Sequence, residues 1–216
     1  TEIYTLSLHD ALPIFGVISA SAASVFALII VYFYKYEYSK ASRLLMSVSS
    51  LPLSVPNIIL AVAAIFAWIS PPLKLYGTKW IIVITYTILF IPIVVKQIKG
   101  LSENINPSID LSAKTLGISI GRRIVRLFLP QLFRGLISGW IISFLVSLRE
   151  IPISLLLNSK GNETVGVLLF TIQSNNYGLE MTSTIAVIVI VVSILGNIIV
   201  NKICEKRFVN GSFTTE

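Results

Sequence analysis

The sequence predicts an all-α membrane protein, a polytopic bundle of about five transmembrane helices. Of its 216 residues, 55% are hydrophobic and 12% are charged, whereas a soluble domain averages about 25% charged residues. The mean hydropathy is +0.85. The long apolar runs lack the alternation of barrel strands, and in lipid only helices or closed barrels satisfy the backbone hydrogen bonds. A bundle of helices is therefore the expected fold.

Five apolar segments approach the roughly 20 residues that a helix needs to cross the hydrocarbon core. In chain order they are 15–34, 52–70, 80–95, 135–157 and 182–203. A shorter segment, 165–172, is expected to form a helix or a re-entrant element that packs against the bundle. The first span ends in tyrosines that are typical of an interfacial aromatic belt. These tyrosines are Tyr32, Tyr34, Tyr36 and Tyr38.

The net charge of +7 reflects where Lys and Arg fall among the loops. If the loop 96–134 is cytoplasmic, then 35–51 and the chain after 203 are cytoplasmic too. These regions hold thirteen basic residues, against three in the outer loops. Such a bias is the positive-inside signature of a membrane protein. We therefore expect a multi-pass protein with a cytoplasmic C-terminus and no nucleic-acid partner.

The sequence offers no basis for a cofactor or metal site. Cys204 is the single cysteine, which excludes an intramolecular disulfide and a cysteine-rich metal site. No Walker A loop, GxGxxG run or metal-ligand spacing is present. We expect this chain to hold no cofactor, no metal and no ATP.

The loop between the third and fourth spans, 98–134, is amphipathic. Within it IDLSAKTLGI predicts a short helix that ends at Gly117, since glycine accepts the left-handed conformation at a helix C-terminus. A second helical piece, SIGRRIVRLFL, leads to Pro130 near the start of the next helix. One interpretation is an interfacial amphipathic helix held by anionic lipids.

The spacing of this loop resembles the EAA motif of importer permeases in the ATP-binding-cassette superfamily. That motif reads Glu-Ala-Ala, three residues, Gly, nine residues, an aliphatic residue, one residue, then Leu-Pro. Here Leu111-Ser112-Ala113 stands at the Glu-Ala-Ala positions, and Gly117, Leu127 and Leu129-Pro130 follow in register. The departure is Leu111 in place of Glu, with Asp110 one position earlier.

This resemblance covers about 50–207. The residues LRE at 148–150, followed by GNETVGVLLF at 161–170, are most similar to permeases of the ferric-iron group. Related groups import polyamines, thiamine, phosphonates, sulfate or molybdate. The resemblance implies a bacterial inner-membrane permease subunit that does no covalent chemistry. It also implies three kinds of partner in addition to membrane lipid: ATP-binding-cassette ATPase subunits, an extracytoplasmic substrate-binding protein, and a second permease subunit or half.

The resemblance further implies that the loop couples the ATPase to the translocation path. The residues concerned are Asp110, Leu111, Ser112, Ala113, Lys114, Gly117, Leu127, Leu129 and Pro130. Asp110 and Lys114 are four residues apart on a helix face, a spacing at which charge pairing can set the register. The alternative interpretation is that Gly117 and Pro130 only punctuate helices.

Arg149 and Glu150 are charged residues inside the fourth predicted span. Arg149 lies about 21 Å along a helix that begins near Gly135, and buried charges in a span usually face protein or a wet cavity. We expect one or both to line the translocation path or an outer gate. The alternatives are a structural ion pair or snorkelling toward the outer surface. Pro152 predicts a break in the helix there.

The stretch TLSLHDALPI, residues 5–14, has no place in the permease pattern and resembles the translation of a common sequencing adapter. We therefore expect 1–14 to be non-native, His9 and Asp10 to have no function, 15–207 to be the permease domain and 208–216 a cytoplasmic tail. The native protein is then a single-motif subunit or the C-terminal half of a fused permease.

Two other classes of function remain open from the residues alone. An ATPase-independent secondary transporter or channel predicts inverted repeats or paired broken helices, which the sequence does not display. A membrane scaffold without a transport role would make the loop motif a coincidence.

Overall fold

The computed structural model describes residues 13–37, 39–72, 74–159, 164–174 and 179–205. These residues form α-helices, a 3-10 turn at Leu51–Ser54 and a π-helical stretch at Ile124–Phe128, with no strand among them. The helices are α1 (Ile14–Tyr36), α2 (Lys40–Ser50), α3 (Asn57–Trp68), α4 (Lys79–Glu103), α5 (Pro107–Thr115), α6 (Ile120–Arg123), α7 (Leu129–Arg149), α8 (Pro152–Leu156), α9 (Val165–Ser174) and α10 (Leu179–Glu205).

The prediction of an all-α bundle with about five spans is confirmed. In the described part of the chain, four helices are long and apolar enough to cross a membrane. They are α1, α4, α10 and the run from Ile120 to Arg149 that contains α7. A bent pair made of Lys40–Ser54 and Asn57–Trp68 gives a fifth if it is counted as one span.

The core of the bundle lies where α1 packs against α4 and α7. On α1, Ala20, Ala23 and Ala27 are completely buried. Their spacing places three small side chains on one face of the helix, which lets the neighbouring backbone approach closely, as is usual for helix contacts in lipid. Polar bonds join the same helices, since Ser19 Oγ donates to the Val83 carbonyl at 3.0 Å. The apolar character of α1 and α4 therefore serves helix packing as well as contact with lipid.

The predicted span 52–70 is wrong as a single straight helix. Its residues lie in the 3-10 turn and in α3, which has only 12 residues, and the axes on either side of the break are bent by 116°. Pro56 explains the break: it lacks the N–H that a continuous helix requires, and Val55 before it is extended at φ −104° and ψ 130°. Pro52 lies inside the 3-10 turn, and Leu51 before it is helical.

The predicted fourth span, 135–157, is wrong at both ends. The helical run begins at Ile120, 15 residues earlier than predicted, and stops at Arg149. Glu150 is extended, at φ −78° and ψ 113°, and the short helix α8 follows from Pro152. The break expected at Pro152 is confirmed. In the π-helical stretch the Leu129 N–H donates to the Ile124 carbonyl, so the chain enters α7 without interruption although Pro130 cannot donate.

The segment 165–172, expected to form a helix or a re-entrant element against the bundle, is the helix α9. It packs against α7, α8 and α10, and Gly166 brings it so close that an added Cβ would lie 2.6 Å from the Glu150 carbonyl oxygen. By contrast α10 leaves a broad apolar surface exposed.

Candidate coupling site

Helix α5 has clear local signals at both ends. The Asn106 side chain accepts a hydrogen bond from the Ser108 N–H at 3.0 Å, and Pro107 occupies the first turn. At the other end Gly117 has φ +72°, and the Ile118 N–H bonds back to the Ala113 carbonyl at 3.1 Å. This is a Schellman ending, which requires a residue with positive φ. The short helix and its glycine stop, predicted from the sequence, are confirmed.

The carboxylate of Asp110 is buried and binds two partners inside the chain. Its Oδ2 lies 2.6 Å from Arg123 Nη1, and its Oδ1 accepts a hydrogen bond from the Tyr32 hydroxyl at 2.9 Å. The three residues are 7%, 6% and 2% exposed. The structure therefore places Arg123, rather than Lys114, against Asp110. We call Tyr32, Asp110 and Arg123 the Asp110 cluster.

Aromatic rings extend the Asp110 cluster along the end of α1. The ring of Tyr32 meets Phe128 edge-on at 5.4 Å between centroids, and Tyr36 meets the same ring at 5.7 Å. The Arg123 guanidinium carbon lies 6.0 Å from the Tyr32 ring centroid, within cation–π range. The expectation that Tyr32 belongs to an interfacial belt is wrong, because its ring and hydroxyl are buried against α5 and the π-helical stretch.

The opposite face of α5 is exposed and partly apolar. Leu111 is 63% exposed and Leu116 is 79% exposed. Ser112, Lys114 and Gly117 are exposed as well, whereas Ala113 is buried against the bundle. Helix α5 thus packs against the bundle through Asp110 and Ala113, and its other residues are exposed. The remaining motif residues, Leu127, Leu129 and Pro130, lie at the entry to α7, where the two leucines are half-buried and Pro130 is exposed.

A second contact ties α1 to the chain segment that leads into α5. The Lys35 ammonium donates to the carbonyls of Ser102 and Ile105, the latter at 2.7 Å. These carbonyls belong to the end of α4 and the turn after it, where a cation is favoured by unpaired acceptors and by the helix dipole. The end of α1 therefore contacts both the start of the loop, through Lys35, and α5, through Tyr32.

Arg149 and Glu150, which are adjacent in sequence, occupy different surroundings. Arg149 is exposed at the end of α7. Glu150 is 4% exposed, and its carboxylate accepts hydrogen bonds from Asn57 Nδ2 at 3.1 Å and from the Ile153 N–H at 3.0 Å. Its backbone carbonyl accepts from Ser154 Oγ at 2.8 Å. Glu150 thus joins α3 to the start of α8 at the break in the fourth helical run.

Sequence reasoning named Asp110 and Glu150 but missed the residues that bind them. Arg123 appeared only as one of several loop cations, Tyr32 as a belt residue, and Asn57 and Lys35 were not singled out for a role at these sites. No pattern in the sequence pairs residues from different helices, so these partners needed the tertiary structure. In the described ranges no group of three or more His, Cys, Asp or Glu residues is arranged to hold a metal ion. His9 and Asp10 lie outside the described residues.

The whole of this geometry falls within a match to one known protein family. Residues 14–208 match the family described as binding-protein-dependent transport system inner membrane component. The chain belongs to this family. It is therefore a permease of the kind that the loop motif indicated, and the importer-permease resemblance is confirmed.

Individual relatives of this permease are distant. The chain is 24% identical over 133 residues to a putative 2-aminoethylphosphonate transport system permease protein, PhnV, of Salmonella typhimurium, which covers 62% of this chain and 50% of PhnV. It is 25% identical over 114 residues to the Fe(3+)-transport system permease protein FbpB 2 of Haemophilus influenzae, covering 53% of this chain and 22% of that protein. The chain thus spans about half the length of PhnV and about a fifth of FbpB 2.

Solved structures confirm the permease fold. An inward-facing structure of the MetNI methionine ABC transporter superposes with a TM-score of 0.65 at 15% identity, over 88% of this chain and 92% of that one. An amino acid ABC transporter crystallised with histidines superposes with a TM-score of 0.56 at 16% identity, over 90% of this chain and 89% of that one. At these identities the likeness concerns the fold alone.

Proposed function

We propose that this permease subunit carries the translocation path of an ATP-binding-cassette importer and that α5 is its coupling helix, the element that docks on a separate ATPase. The observation that supports this is the division of α5 into two faces. One face is fixed to α1 and the π-helical stretch by the Asp110 cluster, and the other exposes Leu111 and Leu116 to a partner. A helix that only connected two spans would need neither a face fixed by a buried ion pair nor an exposed apolar face.

The contacts suggest how movement of an ATPase would reach the bundle. A force on α5 passes through the Asp110 carboxylate to Tyr32 on α1 and to Arg123 at the start of the run that becomes α7. Lys35 adds a link from α1 to the segment just before α5. Because α1 and α7 both pack on α4, a displacement of α5 would move the three central helices together. ATP hydrolysis in this scheme belongs to the partner subunit.

The location and the other partners follow from the same proposal. We place the permease in the inner membrane of a bacterium, with α5 and the C-terminus in the cytoplasm, because the basic residues gather at that end. An extracytoplasmic binding protein would deliver the substrate at the opposite end. A second permease subunit or half would complete the path, and the exposed apolar surfaces of α3 and α10 are available to it and to lipid.

For the residues at the helix break we propose different roles. Glu150 holds α3 and α8 in place beside the path, whereas Arg149 is the charged side chain that is free to face it or the outer surface. The burial of Glu150 among hydrogen-bond donors supports a positioning role.

For the substrate we propose ferric iron, with a phosphonate as the second candidate. Iron is supported by the motif-level resemblance and by the likeness to FbpB 2; a phosphonate is supported by the likeness to PhnV. Polyamines, thiamine, sulfate and molybdate have no such relative among these matches. Uptake of radiolabelled ferric iron and of 2-aminoethylphosphonate into proteoliposomes that hold the complete transporter and its binding protein would decide between the two.

The docking role of α5 has a direct test. The tagged permease is purified from its native host, and the ATPase that copurifies is quantified for wild type, for Leu111→Asp/Leu116→Asp and for Val125→Asp. Val125 is a matched control, since it is 59% exposed and lies outside α5. We expect the α5 variant to lose most of the ATPase and the control to keep it. Equal retention in all three would contradict the proposal, and uptake without any ATPase would favour a secondary transporter or channel.

A further inference from the structure

We propose that this permease binds the phosphate-bearing headgroup of an anionic lipid in a cavity where the ends of α1, α2 and α4 meet. The cavity measures about 360 Å³. The residues that line it are Tyr34, Lys35, Arg43, Lys99, Ser102, Glu103 and Pro107. Three of these side chains are basic and one is acidic, so the cavity carries a net positive charge. We call it the α2 cavity.

The cations of the α2 cavity outnumber its acid, since Glu103 is the one carboxylate among the lining residues and its charge acts on Lys35. The Lys99 ammonium lies 5.2 Å from the centroid of the Tyr34 ring, and the Lys35 ammonium donates to neutral backbone carbonyls. Within the described ranges no salt bridge to Lys35, Arg43 or Lys99 is formed, and two of these three cations are in excess of the acid in the cavity. A site with converging cations and without a matching carboxylate on each is suited to a phosphate oxygen cluster.

The depth of the α2 cavity matches that of a headgroup. It lies where the apolar run of α1 ends at Lys35 and where the apolar run of α4 gives way to Lys96 and Lys99. Charged residues just beyond the apolar part of a span lie at the membrane–water interface. Basic pockets between spans at this level are known to bind anionic headgroups.

Helix α2 provides a surface for the acyl chains, which distinguishes a lipid from a free anion. Its buried face holds Met46, whereas Leu44, Leu45 and Val48 are 64%, 52% and 50% exposed. At about 100° per residue, these exposed residues form an apolar flank that lies about 100–160° around the helix from Arg43. A helix with an apolar flank and a basic side away from it lies in the interface with its apolar flank in the acyl region. A soluble phosphate would use the cations but not this flank.

The test compares lipids on the full-length permease purified in detergent. Binding of phosphatidylglycerol, phosphatidylcholine and inorganic phosphate is titrated by native mass spectrometry for wild type, for Arg43→Gln/Lys99→Gln and for Lys96→Gln/Arg122→Gln. The second variant is a matched control, because it removes the same charge from exposed side chains that do not line the cavity. The charge-conserving variant Arg43→Lys/Lys99→Arg checks that the site tolerates substitution.

We expect wild type to bind phosphatidylglycerol in preference to phosphatidylcholine. Each interfacial cation contributes about fivefold in affinity for an anionic lipid, so the cavity variant should lose roughly 25-fold, while the control loses only a few fold. An equal loss in both variants, or no preference for phosphatidylglycerol in wild type, would overturn the proposal. Binding of inorganic phosphate without phosphatidylglycerol would identify a soluble-anion site instead. If the double variant does not fold, binding of phosphatidylglycerol is measured for Arg43→Gln alone, since Arg43 is exposed on α2. We then expect about a fivefold loss of affinity.

The outcome of the lipid-binding test is independent of the proposed coupling role of α5. A failure to bind anionic lipid would leave the ATPase copurification unchanged, and loss of the ATPase in the α5 variant would leave lipid binding unchanged.

Discussion

The carboxylate of Asp110 joins the end of α1 to the start of the helical run that becomes α7, with Arg123 Nη1 at 2.6 Å from one oxygen and the Tyr32 hydroxyl at 2.9 Å from the other. Since all three side chains are buried, removal of any one leaves an unpaired polar group. Asp110 stands one residue before the position at which the motif usually has Glu. In this chain that acid binds within the permease, and the motif position itself, Leu111, is exposed.

Loss of the Asp110 carboxylate should destabilise the protein and uncouple it. Asp110→Asn leaves Arg123 buried without its counter-charge, which costs about 3 kcal/mol, and we expect the thermal midpoint to fall by roughly 5–10 °C. The exchange Asp110→Arg/Arg123→Asp should recover part of that loss. In the complete transporter, ATP hydrolysed per substrate molecule should rise in Asp110→Asn, a readout that a purely structural pair would not alter in the folded fraction.

The Tyr32 hydroxyl has a matched control in the same aromatic group. Tyr32→Phe removes a hydrogen bond to a carboxylate and should cost about 1.5–3 kcal/mol. Tyr36 shares the ring contact with Phe128, but the hydroxyl bonded to Asp110 is that of Tyr32. Tyr36→Phe should therefore change stability little. Thermal unfolding of both variants in detergent measures the difference, and equal effects would show that the hydroxyl bond contributes nothing.

Gly117 should be sensitive to substitution because of its backbone alone. An added Cβ would meet no atom within 4 Å, but φ is +72°, a conformation that costs an L-residue about 1–2 kcal/mol. Gly117→Ala should therefore lower the free energy of unfolding by about that amount, and Gly117→Asn by less. Gly121→Ala is the control: it also has open space, lies in α6, and should be neutral or stabilising by about 0.5 kcal/mol.

Glu150 and Arg149 should differ sharply when each is changed to Gln. Glu150→Gln places an amide against the donors of Asn57 and Ile153 and leaves a buried polar mismatch, which costs about 1–3 kcal/mol. Arg149→Gln alters an exposed side chain and should stay within about 0.5 kcal/mol of wild type. Thermal midpoints of the two purified variants check this. A larger loss in Arg149→Gln would mean that the arginine, not the glutamate, holds the helix break together.

Gly139 should be sensitive to an added side chain, since α7 lies close to α4 at this residue. An added Cβ would lie 3.0 Å from the Val94 Cα and 3.1 Å from its Cγ1, so Gly139→Ala should cost about 1–3 kcal/mol through overpacking. Gly100→Ala is the control, because it lies in α4 with no atom within 4 Å of the added Cβ. Unfolding measurements in which both variants match wild type would show that α7 and α4 separate easily at this point.

Much of the architecture was predictable because it depends on local properties of the chain. Apolar run length predicts α1 and α4, and the spacing of Asn106, Pro107 and Gly117 predicts a short capped helix, since the groups that begin and end α5 belong to α5 itself or its flanks. The spacing of Gly117, Leu127 and Leu129-Pro130 in the loop was sufficient for the resemblance to the permease family. The origin of residues 5–14 stays a prediction, as residues 1–12 lie outside the described part of the chain.

Only the tertiary structure decided which residues meet. Hydropathy reports that 52–70 is apolar, but it does not report the bend of 116° before α3. The break before Pro152 was predicted, whereas the hydrogen bonds that Glu150 makes there with Asn57 and Ile153 were not. The same limit applies to Asp110, for which the sequence offers Lys114 four residues away and the structure supplies Arg123 and Tyr32. A charge near lipid takes whichever partner removes it from the apolar surroundings at the lowest free energy, and that partner is set by the packing of α1, α5 and the π-helical stretch against one another.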